Sequence, residues 1–195
     1  MEQINGVIFP GGAGDSLYEA WEEKIYLKAL KMNDEGTYFP IMGICLGMQH
    51  ITKYVLGFSK MSRRTLKQEA RPLTFDIKNK WESRMFSSPL MEFELSDFET
   101  EPAFFHQHNY GITPEQWERY SKLSETLRIV STDLDKDGIE FVNIYEGINY
   151  PIYGFQFHPE KATSAMSKFQ KAFDHSNKSI FLNRFFADFF VNEAR

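Results

Sequence analysis

Short apolar runs alternate with amphipathic stretches from the start of this chain, which predicts an α/β fold: a doubly wound, mostly parallel sheet with an antiparallel extension. Three observations carry that reading. Residues 4–9 and 38–45 are apolar runs that stop at glycine-bearing turns, Pro10-Gly11-Gly12 and Gly43-Ile44-Cys45-Leu46-Gly47. Each is followed at once by a segment of helical period. Farther on, the apolar runs 127–132 and 139–145 flank Asp135-Lys136-Asp137-Gly138, a turn sequence suited to a hairpin, so these later strands pair antiparallel.

After the first strand, Ser16-x-x-Glu19 has the spacing of a helix capping box. Leu17, Trp21, Ile25 and Ala29 recur every fourth position with Met32 three further on, one apolar stripe that should pack on the sheet before Gly36 ends the helix. Residues 46–56 again suit a helix. A mixed polar stretch leads to the hairpin, residues 150–158 form a further strand, and residues 179–194 close the chain as a helix with Phe181, Phe185 and Phe189 on one face.

With 195 residues, 42% of them hydrophobic and 16% aromatic, the chain can bury a sizeable core. No repeat or Pro/Gly/Ser-rich linker divides it, so residues 1–195 are expected to form one domain. A net charge of −5 argues against nucleic acid as a partner, because neutralising phosphates needs an excess of Lys and Arg on one face. No run approaches the roughly 18 apolar residues that span a bilayer, and the start MEQING lacks the cationic and apolar stretches of a signal peptide. The one cysteine forms no internal disulfide; it is either an inert buried residue or a nucleophile.

The surroundings of Cys45 favour the nucleophile. A thiol between two glycines where a buried strand turns into a helix is the nucleophile-elbow pattern with Cys in place of Ser. The helix N-terminus favours thiolate. The second constellation is Gly154-Phe155-Gln156-Phe157-His158-Pro159-Glu160, an apolar strand that ends in an imidazole with a carboxylate two residues on. Such a pair can act as base and orienting acid toward a thiol. His106-x-His108, with His158 or Glu160 as a third ligand, could instead be read as a metal site, but the thiol elbow explains a cleft without one.

GICLGMQ at 43–49 together with GFQFHPEK at 154–161 resembles the motif pair of class I glutamine amidotransferases. SRMF at 83–86, HNYGIT at 108–113, YPIYGFQFHPEK at 150–161 and FFVNEAR at 189–195 resemble γ-glutamyl hydrolases of that group. The resemblance implies a flavodoxin-like order of the sheet, Cys45 as nucleophile, His158 as general base, Glu160 as its partner and His108 as a further active-site residue. It also gives Gly11 and Gly12, with the N–H of Leu46, the task of an oxyanion hole. Gln49 is the residue with which amidotransferases hold glutamine, which keeps open a glutaminase subunit that supplies ammonia to a partner. A catalytically silent binding protein of the same fold is the third alternative.

The implied substrate class is folylpoly-γ-glutamate, a small molecule, cleaved without metal or organic cofactor. The basic stretch Lys60, Arg63, Arg64, Lys67 and Arg71 could attract its polyanionic tail, Arg63 and Arg64 foremost, or be a solvated face. The family implies a lysosomal, vacuolar or extracellular compartment. It also carries a strand, helix and strand ahead of residue 4, so this chain is expected to present residues 4–9 at the sheet edge, where unpaired backbone groups invite self-association as a homodimer.

Overall fold

A computed structural model of the chain describes residues 1, 3–14, 16–164 and 173–195. Its strands are β1 (Val7–Phe9), β2 (Ile41–Ile44), β3 (Ser62–Arg71), β4 (Thr74–Phe75), β5 (Phe104–Gly111), β6 (Leu127–Leu134), β7 (Glu140–Gly147) and β8 (Ile152–Phe155). Its helices are α1 (Ser16–Asp34), α2 (Leu46–Leu56), α3 (Leu95–Thr100), α4 (Pro114–Arg119), α5 (Ser121–Thr126), α6 (Lys161–Ser164) and α7 (Asn177–Glu193). The main sheet runs β1-β2-β8-β7-β6-β4, and β3 and β5 form a separate two-stranded ribbon. β1, β2 and β8 pair in parallel, while β7, β6 and β4 continue antiparallel. The expected parallel sheet and its antiparallel extension therefore meet at β8. Among the described residues β1 lies at the edge, paired with β2.

Side-chain parity divides the core into two layers, as a sheet covered on both faces requires. Met42 and Ile44 of β2, Ile144 of β7 and Tyr153 and Phe155 of β8 face a cluster completed by Phe185, Phe186, Phe189 and Phe190 of α7. Ile41, Tyr145 and Ile152, at the alternate positions, face Tyr26 and Ala29 of α1 and Met48, Ile51 and Val55 of α2, and Val142 joins that layer although it shares the parity of Ile144. Gly154 makes one close crossing possible, because a Cβ there would lie 2.5 Å from Cζ of Tyr145. The Tyr145 hydroxyl then reaches across to donate to the Met48 carbonyl at 2.8 Å.

Three helix expectations need correction. α1 already begins at Ser16, and the Glu19 side chain, instead of closing a capping box, pairs with Lys53 of α2. The apolar stripe is also rotated. Leu17 is 66% and Trp21 57% exposed, while Glu22, Tyr26 and Ala29 are buried. Glu22 is admitted to the interior because His50 and Tyr54 of α2 hydrogen-bond its carboxylate. In α7, Phe185 and Phe189 are buried as expected but Phe181 is exposed, and Ser176 caps the helix by accepting from the Ser179 amide at 3.1 Å. The hairpin turn is as read: Gly138 has φ 73°, and Asp135 Oδ1 accepts from the amides of Asp137 and Ile139, each at 2.9 Å.

The SRMF segment has a structural task. Glu146 of β7 is buried, and its carboxylate accepts from Ser83 Oγ at 3.0 Å and from the amides of Arg84 and Met85 at 3.0 and 3.4 Å. That clasp fixes the crossing between β4 and α3. Among the described residues no helix is long and apolar enough to cross a membrane.

Candidate active site

Cys45 stands between β2 and α2 with φ 49° and ψ −101°, in the left-handed region that side chains rarely occupy. The glycines on either side of it, Gly43 and Gly47, serve close packing instead. A Cβ on Gly43 would lie 2.7 Å from the backbone of Gly47 and Met48, and one on Gly47 would lie 2.6 Å from the Phe9 carbonyl carbon and closer still to its oxygen. The two glycines thus let α2 start hard against β2 and β1. The Cys45 amide donates to the Phe155 carbonyl of β8 at 2.6 Å, which ties the elbow to the strand that leads to His158.

β5 completes the frame through its main chain. The Phe105 carbonyl accepts the His158 amide at 2.8 Å, and the Gln107 carbonyl lies 3.8 Å from Cys45 Sγ, within hydrogen-bonding reach of a thiol. His158 Nδ1 donates to Glu160 Oε1 at 2.8 Å, which leaves Nε2 for the sulfur. Burial alone would lower the pKa of His158. Its hydrogen bond with Cys45 and its bond with Glu160, together with the charges of both, outweigh burial and raise it to about 9. Burial would likewise raise the Glu160 carboxyl, but the His158 hydrogen bond and charge hold it below its ordinary value. Cys45, His158 and Glu160 are thereby brought together as an acid-base-nucleophile row.

Gly11 packs against two members of that row, Cys45 and His158. A Cβ on it would lie 2.6 Å from His158 Cε1 and 3.2 Å from the Cys45 Cβ. Gly12 has open space around it but a φ of 142°, which a side chain would strain. Gly11, Gly12 and Leu46 line one cavity of about 360 Å³, shared with Pro10, Ala13, Gly14 and Tyr18. Gln49 lies one turn into α2, its amide bonded to the Cys45 carbonyl at 3.1 Å. Its Nε2 donates to the Tyr110 carbonyl at 2.8 Å and to Gln156 Oε1 at 3.3 Å.

A scan against family models matches residues 1–174 to "Glutamine amidotransferase class-I". The chain belongs to that family. Over its full length it is 32% identical to human gamma-glutamyl hydrolase and 33% identical to gamma-glutamyl hydrolase 1 of Arabidopsis thaliana, covering 61% and 56% of those proteins. It thus spans about three fifths of the length of these curated relatives. Among solved structures, a glutamine amidotransferase from Thermotoga maritima superposes with a TM-score of 0.58 at 15% identity, covering all of this chain and 80% of that one. That likeness concerns the fold of the class-I family alone.

Other residues singled out in the sequence have partners of their own. His108 Nδ1 donates to the Arg64 carbonyl at 2.9 Å, and its Nε2 lies 3.3 Å from Nδ1 of His106. Both ring nitrogens are therefore taken. Burial, with the nearby His158 adding to it, lowers the His108 pKa to about 4, and burial also pushes fully buried His106 well below its ordinary value. His106 is fully buried, and its Nε2 faces Asp133 Oδ2 at 3.6 Å. Among the described residues no group of three or more His, Cys, Asp or Glu is placed to hold a metal ion.

Arg64 is half withdrawn, its Nη1 donating to the Arg63 carbonyl at 2.6 Å and facing Asp135 Oδ2 at 3.4 Å. Arg63 is exposed. The two β5 carbonyls, the Gln156 side chain and Asp133 escaped the sequence reading. Main-chain acceptors leave no mark on residue type, whereas Gln156 sat inside a quoted motif between two buried phenylalanines, where an amide needs a partner.

Proposed function

We propose that this chain is a cysteine hydrolase that cleaves γ-glutamyl amide bonds, with folylpoly-γ-glutamates as its substrate class. The observation that carries it is the row Cys45, His158, Glu160, bonded as a thiol nucleophile, a base and an orienting carboxylate. The similarity of the whole chain to proteins named gamma-glutamyl hydrolase supports the choice of bond.

Cys45 Sγ adds to the γ-carbonyl carbon, and its proton resides on His158 Nε2. The carbonyl oxygen, now anionic, is met by the N–H of Leu46 and the backbone of Gly11 and Gly12, which line one cavity, Gly11 being packed against Cys45. As the C–N bond breaks, His158 returns the proton to the departing amine, leaving a γ-glutamyl thioester. Water, deprotonated by His158, then adds to the thioester carbon, and the C–S bond breaks to release the carboxylate and restore the thiol. Glu160 keeps the imidazole in one orientation throughout. Every proton moves between groups of the chain, the substrate and water, so no organic cofactor takes part.

A glutaminase activity is the second reading. It is favoured by Gln49, whose amide group is held one turn from the nucleophile by Tyr110 and Gln156. A silent binding protein would keep the row without turnover. Glutamate release from oligo-γ-glutamates and ammonia release from glutamine, measured on the wild type, Cys45→Ser and His158→Ala, separate the three. Glutamate release that falls by several orders of magnitude in both variants is expected. Ammonia release alone would establish the glutaminase, and undiminished turnover in Cys45→Ala would remove the mechanism.

By the same family resemblance the compartment is the lysosome, the vacuole or the extracellular space. The exposed edge of β1 supports self-association as a homodimer, which size-exclusion chromatography reads directly.

A further inference from the structure

We infer that Tyr18 of α1 is a positioning residue for the proposed oxyanion hole, its ring holding the loop of residues 10–14 in place, an inference that rests on the hydrolase reading above. In that reading Gly11 and Gly12 present main-chain donors, so whatever fixes their backbone fixes the hole. Among the described residues no backbone–backbone hydrogen bond engages Pro10, Gly11, Gly12, Ala13 or Gly14. The loop is held by packing instead.

That packing has two ends. Gly11 rests against His158 and Cys45, so the loop starts on the nucleophile and its base. At Gly14, three residues on, a Cβ would lie 2.7 Å from Cδ1 of Tyr18 and 3.4 Å from its Cε1, with Cδ2 of Leu46 at 3.5 Å. Gly12, between them, has nothing within 4 Å of its Cβ position. The loop is thus pinned at both ends and unsupported in the middle, and Tyr18 is the pin that does not belong to the catalytic row. The same residue lines the cavity of about 360 Å³ that Gly11, Gly12 and Leu46 border.

A pin must itself be fixed, and both helices contribute to that. Tyr18 and Glu22 stand one turn apart on α1, and Leu46 and His50 stand one turn apart on α2. The Tyr18 ring centroid lies 6.4 Å from that of His50, whose Nδ1 is bonded to the buried Glu22 carboxylate. Burial, and after it the Glu22 carboxylate, pushes the Tyr18 hydroxyl up to about 12, so it stays an uncharged donor at neutral pH. Tyr18 is 36% exposed where its helix neighbours Leu17 and Trp21 are 66% and 57% exposed, in keeping with one covered face of its ring. The Glu22–His50 pair therefore joins α1 to α2 and also braces the ring on which Gly14 rests. A side chain at position 14 would drive ring and loop apart.

Glutamate release from γ-linked pentaglutamate and backbone NMR relaxation, measured on Tyr18→Ala, Tyr18→Phe, Gly14→Ala and Trp21→Ala, test this. Tyr18→Ala should lower kcat about tenfold to a hundredfold, as a displaced oxyanion donor does, and leave KM within about twofold. Amide order parameters of residues 11–14 should fall from about 0.85 toward about 0.6. Tyr18→Phe keeps the ring and should recover most of kcat, and Trp21→Ala, an exposed neighbour, should match the wild type. Gly14→Ala should show the same split between kcat and KM, and it carries the test should Tyr18→Ala fail to fold. An unchanged kcat in Tyr18→Ala and Gly14→Ala, a loss confined to KM, or a Tyr18→Phe as slow as Tyr18→Ala would each overturn the inference. If the wild type releases neither glutamate nor ammonia, the hydrolase reading falls and relaxation alone decides: amides loosened in Tyr18→Ala but not in Tyr18→Phe keep Tyr18 as the pin, and unchanged amides remove it. If the wild type cleaves and Tyr18→Ala matches it in both measurements, the hydrolase reading stands and this inference falls.

Discussion

His158 and Glu160 are joined by a 2.8 Å hydrogen bond from Nδ1 to Oε1, two residues apart in the chain and on the far side of the imidazole from Cys45. This bond and the contact with the sulfur raise the His158 pKa from 6.5 to about 9 against the effect of burial. A histidine whose folded pKa is raised contributes stability that is complete below pH 6.5 and is lost as pH rises toward 9. Chemical denaturation of the wild type should therefore show stability declining over that interval, by at most about 1.4 kcal/mol per pH unit. Glu160→Gln should flatten the decline and slow turnover, and an unchanged slope would mean that Glu160 does not hold the proton on His158.

His106 and His108 act in the opposite direction. Both are buried and held neutral, with pKa values pushed down by burial, that of His108 to about 4. The unfolded chain takes up protons on them below pH 6.5 and the folded chain does not, so stability should fall as pH drops from about 6.5 toward 4. Each ring can contribute up to about 1.4 kcal/mol per pH unit. Denaturation of His108→Gln at pH 6.5 and 4.5 should show a shallower acid loss than the wild type. An identical loss would place the acid sensitivity in other groups.

Gly47→Ala should unfold the protein more readily than any substitution on the exposed face of α1. Its Cβ would fall 2.6 Å from the Phe9 carbonyl carbon, and the obstacle is backbone, which cannot rotate away. Overpacking of this kind costs about 3 kcal/mol, which in a domain of this size lowers Tm by roughly 6–12 °C. Calorimetry of Gly47→Ala against Leu17→Ala makes the comparison, since Leu17 is exposed.

The Glu146 clasp predicts unequal losses from its two sides. Ser83→Ala removes one of three donors and should cost about 1 kcal/mol. Glu146→Ala strands a buried hydroxyl and the amides of Arg84 and Met85 together, and should cost about 3 kcal/mol or more. Equal losses in urea denaturation would mean that the carboxylate is not what holds the segment.

The elbow and the histidine at the strand end were legible because their chemistry is local: two glycines bracket one thiol, and an apolar run stops at one imidazole. The buried face of α1 was misread for a physical reason. Leu17, Trp21, Ile25 and Ala29 repeat every four residues, and a spacing of four drifts about 40° per step around a helix. Glu22 carries no local sign of burial, because the His50 and Tyr54 that receive it lie on another helix. The ribbon was hidden by its two bulges and by His106 and His108, polar residues whose partners are remote in the chain. α4 had left a sign that the sequence reading passed over: Thr113 and Gln116 close a capping box around Pro114, the signature sought at Ser16.

The Phe105 and Gln107 carbonyls, two residues apart on one strand, meet the His158 amide and the Cys45 sulfur respectively. A displacement of the ribbon therefore carries both partners in the same direction, and the separation between sulfur and imidazole changes less than the position of either. Thermal vibration of β5 is common-mode for the pair. Replacing the side chain at position 105 or 107 leaves the two acceptors in place, so this part of the machinery can persist while the letters that encode it drift.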